Sequence, residues 1–367
     1  VMQWREGVVV RQIREWPGAV EYAVTLAPAA DAPTEVRALA YTAMVGRPEV
    51  GDRVVLNASA LLKGLGTGGL AFVVAVPDRL PADAPDSPGH IVKARYTPQQ
   101  QMFLAVDEQD SPHHHVLRDA ESVEGMPVVV ADLHSSLPAV IAGVRTVDPD
   151  ARVAYVMTDG GALPLAFSRA VAGLKEAGWL TSTITVGQAF GGDHEAVSLH
   201  SGLLAAKHVA GADVTVVTQG PGNVGTGTRW GYSGVAAADA LHATTALGGT
   251  PVAALRVSGA DPRPRHRGIS HHSTTAYGDA LFSPAVVPVP AGGGELAALV
   301  RSQAATLAER SRADLEVVEV GTEGLLEALR SSPVRLSTMG RGLEEDLAAF
   351  VVSAVAGVCA AQRVSAR

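Results

Sequence analysis

The chain has one cysteine, Cys359, among its 367 residues. A single thiol excludes an internal disulfide framework and a thiolate metal cluster, and its Ala/Val-rich surroundings make it core filler. Lysine is nearly as scarce, with 4 against 25 arginines, and the net charge is −8. A phosphate backbone demands a clustered cationic footprint, and apart from one short arginine-rich loop none is visible, so nucleic acid is not an expected partner. Aromatics make up only 4% of the chain. The dominance of Ala, Val and Gly suits sheets covered by closely packed helices. Long hydrophobic runs are also missing: the longest, Leu347 to Ala361, has 15 residues. A spanning helix needs roughly 20, so this segment reads as a buried helix. Trp4, Arg5 and Glu6 interrupt any signal peptide. A soluble cytoplasmic protein without a membrane partner is expected.

What is present divides by period. Residues 7–77 read as short strands at Gly7–Arg14, Ala19–Leu26, Glu35–Val45, Arg53–Ala58 and Leu70–Val76, punctuated by Pro, Gly and Asp. Strands this short and regular predict a small barrel or sandwich, because closure removes exposed edges. Gly64-Leu65-Gly66-Thr67-Gly68-Gly69 reads as a wide hairpin turn, since no helix start follows to supply an anion-binding dipole. Pro77 to Gly89 is too polar and stiff for core and marks a linker or surface crossing. A small β domain over 1–96, a linker and transitional segment over 97–126 and an α/β domain over 127–367 follow. The transitional segment carries Ser111-Pro112-His113-His114-His115, read as an exposed loop.

From Pro127 the pattern becomes apolar strand, polar loop, amphipathic helix, repeated. The pairs are Val128–Ala131 with Leu137–Val144, Val153–Met157 with Leu163–Ala177, Thr181–Val186 with Asp193–Val209, and Val214–Thr218 with Val235–Leu247. Val252–Val257 leads into a long loop. Helix Glu295–Arg310, strand Leu315–Val320, helix Leu325–Ser331, strand Val334–Ser337 and a helix from Leu343 close the chain. Aliphatic strands of four to six residues are what burial on both faces produces, and the alternation implies right-handed crossovers. The fold class expected is α/β, with the small β domain followed by a doubly wound, mostly parallel, Rossmann-like sheet.

In such sheets ligands bind beyond the carboxyl ends of the strands. Polar segments load those positions here: Asp132-Leu133-His134, Thr158-Asp159-Gly160, Gly191-Gly192-Asp193-His194-Glu195, Gln219 to Arg229, and Asp261 to Asp279. Asp132 and His134, two apart at a strand end, project to one face and can share a cation; equally, Asp132 can cap the next helix. His194 and Glu195 are placed in a first helical turn capped by Asp193, which would bring them to the same crevice. Asp132, His134, His194 and Glu195 are thus candidate ligands of a divalent metal ion.

Gly220-x-Gly222-x-x-Gly225 follows a buried strand as a dinucleotide-binding turn would, but Thr226 to Gly234 intervene before a helix, so NAD(P) is the lesser reading. A nest for phosphate or carboxylate is favoured, built from Gly220, Gly222, Asn223, Gly225, Thr226, Gly227, Thr228 and Arg229. The loop from Arg263 to Ser273 concentrates Arg263, Arg265 and Arg267 with His266, His271 and His272. Its arginines suit an anionic ligand and its histidines suit general acid–base work, alongside Asp132, His134 and Asp159. Arg341 joins the anion-binding candidates. A plain surface loop neutralised by Asp261 and Asp279 is the competing account.

Five segments together, Gly51–Asn57, Leu133–Pro138, Thr218–Thr228, Arg265–Ser273 and Ser337–Gly342, resemble a bacterial family known only as a domain of unknown function. The likeness runs over nearly the whole chain and implies no activity. Asp132/His134 and Gly192-Asp193-His194-Glu195 also resemble elements of the calcineurin-type metallophosphoesterases, with Ser270-His271-His272 in place of that family's closing Gly-His-x-His. The expectation carried forward is a hydrolase-like enzyme, metal-assisted or not, acting on a small anionic or phosphorylated molecule. Its rivals are a non-catalytic metabolite sensor or scaffold and an NAD(P)-dependent oxidoreductase. Self-association into a homo-oligomer is compatible with the sequence.

Overall fold

The computed structural model describes residues 2–28, 33–66, 68–83 and 88–365; Thr67 of the glycine turn and residues 84–87 of the Pro77–Gly89 crossing lie outside them. The chain forms two compact units, Val1–Ser87 with Arg95–Gln101 and Pro88–Ala94 with Met102–Arg367.

The first unit is a closed five-stranded barrel. Its strands are β1 (Trp4–Trp16), β2 (Ala19–Leu26), β3 (Glu35–Tyr41), β4 (Arg53–Asn57) and β5 (Ala71–Ala75), ordered β1-β2-β3-β5-β4. Pairing of β1 with β4 closes the ring and leaves no edge. Every second residue points inward, Val20, Tyr22 and Val24 from β2 and Val54 and Leu56 from β4 among them, so period-two burial gives the barrel its core.

The second unit is an eight-stranded sheet, parallel throughout and covered by helices on both faces. Its strands are β6 (Pro127–Val130), β7 (Val153–Thr158), β8 (Ser182–Thr185), β9 (His194–Glu195), β10 (Val214–Gln219), β11 (Thr250–Ala253), β12 (Ala285–Pro290) and β13 (Leu315–Val320). Their order is β9-β8-β7-β10-β6-β11-β12-β13. Both faces are dry: Val128 and Val130 enter one core while Val129 enters the other. The helices are α1 (Leu137–Val147), α2 (Arg169–Glu176), α3 (Leu199–His208), α4 (Ala237–Ala246), α5 (His271–Thr275), α6 (Glu295–Arg310), α7 (Leu325–Arg330) and α8 (Leu347–Ser365). Buried side chains of α1, α2, α7 and most of α8 share one core, and those of α3, α4 and α6 share the other.

α1 and α8 touch backbone to backbone. A Cβ on Gly143 would fall 1.9 Å from the Ala354 carbonyl oxygen, and one on Gly357 would fall 1.9 Å from that of Val140. Only a residue without a Cβ permits this reciprocal contact. By length and composition α8 could cross a membrane, with mean hydropathy 1.8 over Leu347–Val364, yet 61% of that stretch is buried inside the fold.

Several elements start later than periodicity predicts. Asp193 does not cap a helix: its carboxylate accepts from the Thr183 amide and hydroxyl, and α3 begins after Ser198, which forms a capping box with Ser201. His194 and Glu195 therefore lie on edge strand β9. A 3₁₀ turn, Ser233–Ala236, precedes α4. α8 begins at Leu347, directly after Asp346, whose carboxylate accepts from the Gly259 amide and the Ser258 hydroxyl. Of the expected strand Val334–Ser337 only Ser337 is extended, pairing with Thr338 against Arg341–Gly342. The His113–His115 run, expected as a loop, opens the one-turn helix His114–Leu117.

Candidate functional site

β6 and β10 are neighbours, but the chain leaves β6 for α1 on one face and β10 for α4 on the other. Divergence of this kind opens a crevice beyond the strand ends. The segment after β11 folds back over that crevice. Its neck is the strand pair Val257–Ser258 with Gly268–Ile269, and the Ser270 amide donates to the Arg256 carbonyl at 2.8 Å. After α5 the helix loosens into a π turn over Ala276–Ala280, a distortion common at functional sites. The buried Tyr277 hydroxyl anchors this turn, lying 3.3 Å from the Val130 carbonyl oxygen and 3.1 Å from that of Ala254.

Asp132 sits at the bottom of the crevice, and Arg256 Nη1 approaches its Oδ2 at 3.4 Å. The same Nη1 donates to His272 Nδ1 at 2.8 Å. Tyr232 stacks flat on His272, with ring centroids 4.0 Å apart, and its hydroxyl donates to the His272 carbonyl oxygen at 2.7 Å. Gln219 Nε2 donates to the Asp132 carbonyl oxygen at 3.0 Å. Gly234 is required because a Cβ there would fall 2.8 Å from that of Asp132. His266 and His271 complete the cluster, with centroids 4.8 Å apart; His266 Nδ1 lies 2.8 Å from the Ser270 hydroxyl. Burial, reinforced by Arg256 and Arg263, lowers the pKa of His266 to about 4. Burial also lowers that of His271 to about 4, helped by His272 and by Arg265. Both rings are thus neutral bases near neutral pH. His271 Nε2 is buried with no hydrogen-bond partner among the described residues.

His271 lines a cleft of about 540 Å³ together with Arg229, Arg265, Asp279, Gln303 and Arg310. That size falls within the range of small-molecule sites. Asp279 holds Arg229 in an ion pair. Arg265 approaches only His266 Nε2, at 3.4 Å, and neither Arg265 nor Arg310 pairs with a carboxylate among the described residues. A second cavity, of about 20 Å³, is bordered by Ser135, Ser258, Asp261, Arg341 and Asp346 and has room for little more than a water.

The other sequence candidates go elsewhere. His134 opens a 3₁₀ turn instead of ending a strand, so it does not share a face with Asp132. Both its nitrogens are engaged by hydroxyls, Nδ1 with Tyr155 at 3.0 Å and Nε2 with Ser168 at 2.6 Å, and burial lowers its pKa to about 4. Asp159 accepts from the Gln188 amide at 2.9 Å. Glu195 is four strands from β6, about 19 Å at ordinary strand spacing. There it accepts from the fully buried Lys93 at 2.8 Å, the Thr185 hydroxyl at 2.7 Å and the Gly191 amide at 2.6 Å. His194 packs edge-on against His113. Asp132, His134, His194 and Glu195 are therefore not brought together. Among the described residues no group of three or more His, Cys, Asp or Glu side chains is placed to hold a metal ion.

The glycine-rich segment is a hairpin and not an open nest. The Thr226 amide donates to the Gly231 carbonyl, the Gly231 amide to the Thr228 hydroxyl and the Val224 amide to Ser233, while Asn223 accepts from the Ser233 hydroxyl. Gly222 and Gly227 supply positive φ at its bends, Gly225 bridges to Tyr232, and the Gly220 amide donates outside the hairpin to the Thr158 carbonyl oxygen at 3.2 Å. The run does not lead directly onto a helix N-terminus, as a dinucleotide turn would. Arg263 forks onto Asp261 at 2.9 and 2.8 Å, holding that carboxyl far below the usual range. Arg341 is bound to Asp346 at 3.0 Å and near Asp261 at 3.6 Å. Arg267 is exposed and forms no ion pair among the described residues.

Sequence reasoning missed Arg256, Tyr232, Tyr277, Gln303 and Arg310. Arg256 had a readable signal, as the lone charge in the apolar run Val252–Val257. Gln303, Thr306 and Arg310 carry another, at spacings of three and four that set them on one face of α6.

The model of a family described as "Protein of unknown function (DUF3866)" matches residues 37–357. No curated protein matches the chain, and no solved structure matches it.

Proposed function

The chain belongs to the DUF3866 family, and we propose, from the site alone, that it is an enzyme acting on a small anionic molecule held in the cleft beside His271. The observation that carries this reading is His271, an imidazole whose pKa burial and cationic neighbours lower, in the wall of a cleft where two guanidiniums have no carboxylate partner among the described residues. A base that is unprotonated at neutral pH is ready to take a proton from water or a substrate hydroxyl, and an anion in the cleft would stabilise the imidazolium that results. A hydrolytic step, in which His271 accepts the proton of the attacking water, is the reaction class assigned. Arg256, His272 and Tyr232 act behind His271 as positioning residues.

The test is turnover of a panel of anionic metabolites followed by proton NMR, with wild type and His271→Asn compared. Loss of general-base catalysis is expected to slow the reaction about 10²- to 10⁴-fold. A ligand that binds the wild type and is never altered would instead favour the sensor reading.

A further inference from the structure

Resting on the cleft as the substrate site, we propose that the substrate carries a phosphate monoester, and that Arg265, Arg310 and Gln303 grip its phosphoryl oxygens. The cleft wall holds three arginines, Arg229, Arg265 and Arg310, against one carboxylate, Asp279. Gln303 Oε1 accepts from the Ile269 amide at 2.7 Å, which leaves its NH₂ end to donate. This placement depends on Gly268, whose φ is +67° and where a Cβ would fall 2.2 Å from Gln303 Oε1. The Asp279 carboxylate is committed to Arg229. Thr306 donates its hydroxyl proton to the Ser302 carbonyl at 3.1 Å, and Thr274 donates to that of Ser270 at 3.3 Å. Among the described residues two guanidiniums of the wall remain without a carboxylate partner, and the Gln303 NH₂ is a further donor in the same wall.

A wall with three arginines against one carboxylate fits a ligand group that is anionic and rich in acceptors. A phosphate monoester offers three oxygens and a charge of about −1.5 to −2 at neutral pH, matching two guanidiniums; a single carboxylate brings half that charge. Seven residues separate Gln303 from Arg310, about two helical turns, so both lie on one face of α6. Arg265 comes from a different segment, the loop that Gln303 pins through Ile269. The dipole at the C-terminus of α6 accounts for a cation at 310 but not for a second one at 265.

Isothermal titration of the full chain with glycerol 3-phosphate, inorganic phosphate and succinate tests the assignment without requiring turnover. Arg265→Ala, Arg310→Ala and, as a control in the same loop but outside the cleft wall, Arg267→Ala are compared, with unliganded melting temperatures confirming that each variant folds. The expected result is saturable binding of glycerol 3-phosphate, weakened about tenfold or more by Arg265→Ala and by Arg310→Ala and unchanged by Arg267→Ala. Succinate binding as tightly as the monoester, equal loss in all three variants, or no binding of either phosphate probe would overturn it. If a carboxylate substrate is turned over while phosphate is ignored, the phosphate assignment falls and the His271 reading stands. If the monoester binds and is never altered, the reverse holds.

Discussion

Arg256 Nη1 donates to His272 Nδ1 at 2.8 Å. A guanidinium has only donors, so the imidazole nitrogen it meets must be a lone pair, and His272 is fixed as the tautomer protonated on Nε2. The same nitrogen lies 3.4 Å from Asp132 Oδ2. One arginine therefore sets the protonation pattern at the bottom of the crevice.

Arg256→Ala should remove the cation facing Asp132, whose side chain is only 6% exposed, and strand a buried carboxylate. The expected cost is about 3 kcal/mol in urea denaturation. Adding Asp132→Asn should recover most of it, because the stranded charge is then gone. Equal stability of the single and double variants would show that the Asp132 charge is not what Arg256 compensates.

Acid should destabilise the fold well above the range where its carboxylates titrate. His134, His266 and His271 have folded pKa values of about 4, whereas an unfolded histidine titrates near 6.5. Between those limits the unfolded chain binds more protons, so stability is fully present above about pH 6.5 and is lost as pH falls towards 4. Melting temperature measured from pH 7.5 to 4 should decline through that window, and His266→Asn should flatten the decline. A level profile down to pH 4.5 would contradict the burial of these rings as neutral bases.

Lys93 and Glu195 form a buried ion pair in which desolvation presses the lysine pKa down and the glutamate pKa up, against their mutual attraction. Lys93 Nζ also donates to the carbonyls of Thr185 at 2.9 Å and Ala189 at 2.7 Å, tying Lys93 to the end of β8 and the loop beyond it. Lys93→Met should cost about 3–5 kcal/mol, and Lys93→Met with Glu195→Gln clearly less. Urea midpoints decide this; a double variant no better than the single one would mean that packing of the lysine stem, not its charge, holds the clasp.

The sheet was legible because strands buried on both faces become aliphatic runs, as in Val128-Val129-Val130, and the barrel because its inward residues alternate. Strand order was not. Glu195 and Asp132 both follow apolar strands, and nothing local says that one lies on the edge and the other at the crevice, since order is set by which crossovers pack. The histidines of the 266–272 loop announced themselves by density. Their partner Arg256 carried a weaker mark, and Arg310 was hidden on a helix whose apolar face dominates its pattern. His134 misled because the Asp132-x-His134 spacing implies a common face only if the strand continues through it, and the chain enters a 3₁₀ turn at His134.

The glycine contact between α1 and α8 has a kinetic counterpart. Beside it the Ser353 hydroxyl donates to that of Ser136, across 217 positions of sequence. Ordering so long an intervening stretch precedes any reward from the contact, and topologies of this kind assemble slowly. Until the two helices meet, Val129, Tyr155 and Val216 stay wet on one side of the sheet. A chain in which the two helices have not met would expose that apolar face to other chains.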